Sequence, residues 1–269
     1  MLSKKCETAE AISASKLATG IYELWIGTDL AQTARPGCFI GVYPKNQSTL
    51  LPRPISICEV DQERSALRIV YRIAGKGTTE FSTYQKGDKV RILGVLGNGY
   101  PLQEAEGKTV FLVGGGIGVP PILELAKQLK NCEKIIILGY RDGELFLKED
   151  MEKYGTVYIA TEDGSVGTKG NVMDVIMKHK LNADLIYSCG PMPMLKAIKR
   201  FSMEKQIPAY LSLEERMACG VGACLGCVCK TTHKDGHSHV HNARICTDGP
   251  VFLAEDVAIL EEDVMVEDE

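Results

Sequence analysis

The chain has 269 residues, 45% of them hydrophobic and 25% charged, which is enough for two ordinary domains and a small third module of the water-compatible globular type. A formal net charge of -4 gives no electrostatic reason to expect a nucleic-acid partner. Lys4 and Lys5 are followed by no apolar core of a secretory signal, and no apolar run reaches the ~20 residues that span a bilayer, so a cytoplasmic location without membrane contact is the expectation.

From Ala9 to about Leu102, short runs rich in β-branched and aromatic residues alternate with turn signals. Ile21–Ile26, Ala66–Tyr71 and Lys89–Leu93 are the clearest, and such closely spaced strands predict an antiparallel barrel over residues 1–102. Within it, Arg53-Pro54-Ile55-Ser56 opens a strand, and Gly75-Lys76-Gly77-Thr78-Thr79 lies between a strand and a short helical pattern. An arginine and small residues with free N–H groups together suit a phosphate, although either motif alone is weak.

Residues 103–212 alternate strand and helix. Thr109–Val113 is continuously apolar, and the following helix places Ile122, Leu125, Ala126 and Leu129 on one face, with Pro120 and Pro121 in its first turn. Strands at Lys134–Gly139, Thr156–Ala160 and Asp184–Cys189 follow, and a helix after Pro193 is expected to bury Met194, Ala197, Ile198 and Phe201. This pattern predicts an α/β domain around a doubly wound parallel sheet. The glycines Gly114, Gly115, Gly116 and Gly118 lie between a buried strand and a helix, the setting of a dinucleotide phosphate loop; a tight turn without ligand is the competing reading. Cys189-Gly190-Pro191-Met192 ends a parallel strand, where ligands of open α/β sheets bind. After another strand, Arg141 could pair with a 2′-phosphate and Asp142 with a 2′-hydroxyl.

Residues 213–269 are rich in cysteine and glycine. Of ten cysteines, Cys6, Cys38, Cys58 and Cys132 stand apart and read as small buried hydrophobes. Cys219, Cys224 and Cys227 form C-x4-C-x2-C, the plant-type [2Fe–2S] spacing, which needs a fourth cysteine further on. Three thiolates converging from one tight loop, with amides turned inward to the sulfides, require special backbone angles, for which Gly220, Gly222 and Gly226 are suited. Cys246 is the natural fourth ligand, and Cys229 the second choice. A zinc site would more often pair C-x2-C units or add histidines, and a Rieske centre needs C-x-H motifs that are absent. His233, His237, His239 and His241 read as a solvated hairpin tip, with an adventitious metal site the long-odds alternative. The acidic tail 261–269 reads as a solvated end.

The order Arg-Pro-x-Ser, Gly-x-Gly-Thr, Gly-Gly-Gly-Ile-Gly, Cys-Gly-Pro resembles the ferredoxin–NADP reductase superfamily. Glu215–Cys227 together with Cys246-Thr247-Asp248-Gly249-Pro250-Val251-Phe252 is similar to the electron-transfer subunits of dihydroorotate dehydrogenase B, and the likeness covers essentially the whole chain. The resemblance implies FAD held by Arg53 to Ser56, with Arg53 at the pyrophosphate and Ser56 near the reactive flavin nitrogen. It implies Val70, Tyr71 and Arg72 along the flavin, and Gly77 and Thr78 at its phosphates. Gly114 to Gly118 and Cys189 to Met192 would serve NAD, chosen over NADP chiefly on family grounds, with Cys189 beside the nicotinamide. Many superfamily members carry a tyrosine stacked on the flavin where this chain has Ile55, which puts that stack in question.

The resemblance further implies a partner that oxidises dihydroorotate at FMN, in a heterotetramer of two copies of each subunit. Electrons would pass through a [2Fe–2S] cluster and FAD to NAD+. A cluster moves one electron at a time and nicotinamide takes a hydride, and a flavin can do both, which supports a flavin between them. Two other readings stay open: a subunit of a related reductase working between NAD(P)H and ferredoxin or sulfur compounds, and a non-catalytic iron–sulfur redox sensor.

Overall fold

A computed structural model describes residues 4–46, 48–234, 239–260 and 263. The N-terminal strands are β1 (Lys5–Ala18), β2 (Ile21–Gly27), β3 (Phe39–Tyr43), β4 (Arg53–Asp61), β5 (Ala66–Arg72) and β6 (Lys89–Leu96). They close an antiparallel barrel in the order β1-β2-β5-β4-β3-β6, so no sheet edge is left to pair elsewhere. The interior is filled by inward-facing residues such as Leu24, Ile26, Ile40, Ile57, Leu67, Ile69 and Ile92. A single short helix, α1 (Lys76–Phe81), follows β5 and buries Phe81 against Tyr71.

The second unit is a seven-stranded sheet. Its parallel strands are β7 (Thr109–Gly115), β8 (Glu133–Tyr140), β9 (Thr156–Thr161), β10 (Thr168–Lys169), β11 (Leu185–Cys189) and β12 (Ala209–Ser212), ordered β10-β9-β8-β7-β11-β12. Buried residues run almost without break through β7 and β11 because both faces of these central strands are covered. Helix α2 (Val119–Gln128) packs on one face; α4 (Val172–His179) and α5 (Met192–Lys205) pack on the other. The one-turn α3 (Lys148–Met151) lies between β8 and β9. Helix α4 starts where Asn171 accepts from the Met173 N–H at 2.8 Å while Asp174 accepts from the Asn171 N–H at 2.7 Å, a reciprocal cap.

The C-terminal segment forms a hairpin of β13 (Val228–Lys230) and β14 (Asn242–Arg244), then β15 (Val251–Leu253), which joins the large sheet antiparallel to β12. The expected boundary at residue 213 is therefore crossed by hydrogen bonds: Leu211 and Phe252 are paired neighbours. Cys227, Ile245 and Cys246 also share one apolar core with Phe39 and Leu93 of the barrel and Ile186 and Leu211 of the sheet. Asn98, just past β6, clamps the segment by donating to Asp248 O and Val251 O and accepting from the Val251 N–H.

Several expectations are corrected at the level of single residues. On α5 the buried face is Leu195, Ile198, Lys199, Phe201 and Ser202; Met194 and Ala197 are only half-buried, because the stripe is rotated by one residue. Cys38 and Cys58 are buried, but Cys6 is exposed on β1 and Cys132 is only half-buried. Asp263, in the acidic tail, is not solvated: it accepts from the buried Lys199 Nζ at 2.7 Å and from the Leu260 N–H at 2.8 Å. A lysine at 1% exposure needs such a partner, and Val257 O supplies a second at 2.7 Å. The rest of the tail, apart from Asp263, lies outside the described residues.

Candidate redox site

The first cavity, of about 310 Å³, lies where barrel, sheet and C-terminal segment meet. Arg53, Pro54, Ile55 and Ser56 of β4, Val70, Tyr71 and Arg72 of β5, and Thr78 of α1 all line it. Ile55 contributes an aliphatic wall, and the nearby aromatic faces come from Phe39 and from Tyr71, whose ring is stacked on Tyr22 at 6.3 Å. Gly77 lies against Arg53: a Cβ there would sit 2.9 Å from Arg53 Nε, so glycine lets the arginine side chain come close to the start of α1. The Thr78 hydroxyl accepts from the Ala74 N–H at 2.8 Å and the Gly75 N–H at 3.2 Å, holding the turn itself. An arginine set over a glycine at the end of a mixed apolar and polar slot fits a flavin with its phosphate at Arg53.

The second cavity, of about 640 Å³, opens at the C-terminal ends of the parallel strands. Gly115, Gly116, Pro191, Arg141 and Asp142 line it. The glycines divide their work. Gly116 alone of the loop has a left-handed backbone, at φ +54°, and its missing Cβ faces Arg72. Gly118 permits contact between loop and β11, since a Cβ there would lie 2.3 Å from Cys189 O. Gly114, Gly115 and Gly190 make room for Val119 and Met194. Met192, at the start of α5, borders neither cavity. This glycine cradle fits the phosphates of a dinucleotide. Arg72 lines both cavities and so marks the point where they adjoin.

Cys189 ends β11 almost fully buried, beside Gly114 and Ser212 in the sheet. Burial, with the Glu214 carboxylate adding to it, pushes its thiol up to about 12, so it stays protonated. Glu214 lines the first cavity, and desolvation raises its carboxyl.

The cysteine loop 219–227 follows directly. Gly220 and Gly222 adopt left-handed backbone angles, φ +67° and +89°, as their place in the loop suggests. Gly226 does not; Leu225 takes the left-handed position instead, at φ +54°, with its side chain exposed. The amide of Val221 points at Cys219 Sγ and that of Gly226 at Cys224 Sγ, both at 3.4 Å. Burial alone would raise the Cys219 thiol, but the amides of Val221, Ala223 and Cys224 and the Cys224 thiol outweigh it and bring it down to about 6. Cys246 arrives from beyond the hairpin; burial and then the adjoining Cys227 sulfur push it up to about 11, and Cys219 bears on it as well. The four thiols thus converge. Cys229 stands apart: burial raises its thiol to about 11, and its charged neighbours are Glu215 and Asp248, not the other cysteines. Among the described residues no three His, Cys, Asp or Glu side chains surround a point suited to a single ion. A set of four thiols with inward amides fits a multi-atom iron–sulfur core. Of the histidines, His237 lies outside the described residues; His233 Nδ1 is 3.7 Å from Asp256, and His241 O accepts from the Thr231 N–H beside the hairpin.

Sequence reasoning missed how much of the first cavity is built by the C-terminal segment. Glu214, Glu215, Met217, Ile245 and Pro250 all line it, and Ile245 directly precedes Cys246 while Met217 stands two residues before Cys219. It also missed Glu144 and Glu162 in the second cavity. No local motif marks these positions; they reach the cavities only through the return of β15 into the sheet and the fold of the loops after β8 and β9.

Comparison with known proteins agrees with this geometry. The family model of the iron–sulfur cluster binding domain of dihydroorotate dehydrogenase B matches residues 214–258. The dihydroorotate dehydrogenase B (NAD(+)) electron transfer subunit of Bacillus cereus strain B4264 is 45% identical over 255 residues, covering 92% of this chain and 96% of that protein. The chain belongs to this family of electron transfer subunits. The subunit of the same description from Lysinibacillus sphaericus strain C3-41 is 43% identical over 258 residues, covering 94% and 98%. In three dimensions the chain is similar, with TM-score 0.83 and 26% identity over 96% of its length and 95% of the other, to a chain of the NADH-dependent reduced ferredoxin–NADP oxidoreductase studied for flavin-based electron bifurcation. The closed barrel, parallel sheet and cysteine segment are accordingly those of a ferredoxin–NADP reductase-like oxidoreductase subunit with flavin and iron–sulfur sites. Among the described residues no helix is long and apolar enough to cross a membrane.

Proposed function

We propose that this chain couples an FMN-containing dihydroorotate dehydrogenase subunit to NAD+ in pyrimidine biosynthesis, in the cytoplasm, within a complex of two copies of each subunit. Cys219, Cys224, Cys227 and Cys246 would hold a [2Fe–2S] cluster, the first cavity FAD, and the second cavity NAD. The observation that carries the reading is continuity. Residues flanking the cysteines, Met217 and Ile245, form a wall of the first cavity, and Arg72 is shared between the first and the second. One-electron and hydride chemistry would then adjoin in a row, and a bound flavin would supply the exchange between them.

The residues of the chain have definite parts in this reading. Arg53 balances phosphate charge, while Ser56 and Thr78 border the same slot. Cys189, neutral because buried, would stand behind the nicotinamide end of the second cavity, next to Gly118 of the glycine loop. On the outer side, Cys224 is exposed, and Val221, Leu225 and Val228 around it are exposed and apolar. That face suits a protein partner more than water. The carboxylates Asp142, Glu144 and Glu162 in the second cavity outnumber Arg72 and Arg141, favouring a ribose hydroxyl over a 2′-phosphate and hence NAD over NADP.

A barrel able to hold FMN and dihydroorotate takes ~250 residues, and the described elements are already committed to the barrel, sheet and cysteine segment. The purified chain alone should reduce artificial acceptors with NADH yet leave dihydroorotate untouched, and adding the FMN subunit should restore dihydroorotate-dependent NAD+ reduction. Oxidation of dihydroorotate by the chain free of any FMN protein would overturn the two-subunit reading. The structural likeness to a ferredoxin–NADP oxidoreductase favours a second reading, electron exchange with ferredoxin; reduction of ferredoxin by NADH with no gain from the FMN subunit would select it.

A further inference from the structure

We propose that Thr19 and Glu144 form a latch at the rim of the second cavity, which must open for a nicotinamide dinucleotide to enter and leave, so that the pair sets the rate of exchange. The proposal rests on the dinucleotide reading of that cavity. The cavity is a cleft between the two units. One wall is the β1–β2 turn, Ala18 to Ile21, with Arg72 and Ile73 where β5 ends; the other is the glycine loop and the segment after β8. Thr19 and Glu144 line it from opposite walls and are both exposed, which puts them at the rim. The Glu144 carboxylate accepts from the Thr19 hydroxyl at 2.9 Å and from the Thr19 N–H at 3.1 and 3.2 Å, once at each oxygen. Hydrogen bonds to a carboxylate are stronger than neutral ones, yet water competes for both partners here, so the contact can hold and still break. A carboxylate has about four lone-pair sites, so the grip on Thr19 leaves Glu144 one toward the cavity.

Both ends of the latch are firmly set. The pairing of β1 with β2 slips between Lys16 and Ala18, a bulge that re-aims the chain just before Thr19. Gly20 follows at φ +71°, and its carbonyl accepts from the Ile73 N–H at 2.9 Å, which ties the turn to the end of β5. On the opposite wall the Glu144 N–H donates to Asp142 Oδ1 at 3.0 Å, and the Tyr140 hydroxyl donates to Phe146 O at 2.8 Å. Away from the rim the two units are joined by a heavier seam. Buried Arg68 pairs with Asp150 at 3.2 Å, Lys127 with Glu59 at 3.0 Å, and Glu124 accepts from the Val60 N–H at 2.8 Å. A buried seam on one side and an exposed polar contact across the cleft is the layout of a hinge and a catch. Opening breaks the Thr19–Glu144 bonds and leaves the seam intact.

The test is NAD+ binding to the full-length oxidised chain with its flavin, followed by flavin absorbance in stopped flow, for wild type, Thr19→Val and Thr19→Ser. Valine keeps the shape of threonine and drops the hydroxyl; serine keeps the hydroxyl. Thr19→Val should raise the association and dissociation rate constants together, each by roughly fivefold for one net hydrogen bond, and leave Kd within about twofold. Thr19→Ser should match wild type. Amide hydrogen exchange of the ligand-free chain gives a second readout: the backbone around Thr19 should exchange faster in Thr19→Val, while residues 66–72 along the seam should not change. A rise in the dissociation rate alone, with Kd weakened to match, would make Thr19 a cofactor contact and overturn the latch. Unchanged rates, or faster exchange throughout the chain, would overturn it as well. If wild type binds no NAD+, the dinucleotide reading of the second cavity falls and the latch with it, whereas binding with unchanged rates in Thr19→Val removes the latch alone.

Discussion

At the scale of single residues, the division between Cys246 and Cys229 is the sharpest expectation. Cys246 shares its surroundings with Cys227 and Cys219, whereas Cys229 sits among Glu215, Asp248 and the Ala243 backbone. Cys246→Ser should therefore strip or alter the cluster's visible and EPR spectra, and Cys229→Ser should leave both as they are; the reverse pattern would overturn the ligand set. Cys189 makes a different demand. It is a protonated thiol at the end of β11, its charged neighbour being Glu214 and not a cysteine of the loop. Cys189→Ala should slow flavin reduction by NADH in stopped-flow measurements while iron and flavin contents stay at wild-type levels. Loss of iron in that variant would show the placement to be wrong.

At the scale of the element, the β7–α2 loop depends on glycine for contact with β11 more than for its own bend. A Cβ at Gly118 would overlap Cys189 O and the Gly190 N–H, both backbone atoms that cannot swing aside. Gly118→Ala should cost on the order of 1–3 kcal/mol through this overpacking, seen as a lower melting temperature together with a raised KM for NADH. The cysteine loop is a separate element, so its spectrum should not change. Gly75 is the control: its φ of 171° is ordinary extended backbone, and a Cβ there meets nothing within 4 Å. Gly75→Ala should leave melting temperature and KM near wild type. A similar response from both variants would show that the contact does not matter.

At the scale of the whole molecule, barrel and sheet are joined by a charged knot. Arg68 of β5 pairs with Glu23 at 2.6 Å, Asp150 of α3 at 3.2 Å and Glu59 at 3.3 Å, while Lys127 of α2 pairs with Glu59 at 3.0 Å. Glu124 accepts from the Val60 N–H at 2.8 Å in the same seam. Arg68→Met would leave three carboxylates facing one another at a mostly buried position, at a cost of about 3 kcal/mol, measured by denaturant unfolding. Burial would raise the Asp150 carboxyl, but hydrogen bonds and charge from Lys153 and Arg68 outweigh it and hold it below its ordinary value. A carboxyl lowered in the folded state stabilises above its unfolded pKa of ~3.9 and loses that contribution as pH falls through the lower folded value. The melting-temperature gap between wild type and Asp150→Asn should be full at neutral pH and close progressively below about pH 4. A gap independent of pH would remove Asp150 from the knot's electrostatics.

Local chemistry made the main parts of this protein readable from sequence. C-x4-C-x2-C needs no tertiary information, because three thiolates from one loop must be close. The apolar run before Gly114 and the prolines at 120 and 121 likewise announce strand, loop and helix from nearest neighbours alone. The same local signals pointed to Gly226, yet the left-handed angle falls on Leu225, since loop closure can be met by either residue and only the packing chooses. Tertiary structure decided what lies across an interface. Ile245 and Met217 reach the first cavity because β15 pairs with β12 and carries the cysteine segment back over the barrel. Asp263 is buried because Lys199, on a helix 64 residues earlier, requires a counter-charge. Cys246 differs from Cys229 only because the hairpin between them turns one sulfur toward Cys227 and leaves the other beside Glu215. Sequence spacing determines which groups can meet through a short loop; contacts between distant segments depend on the packing of whole elements, which no local pattern records.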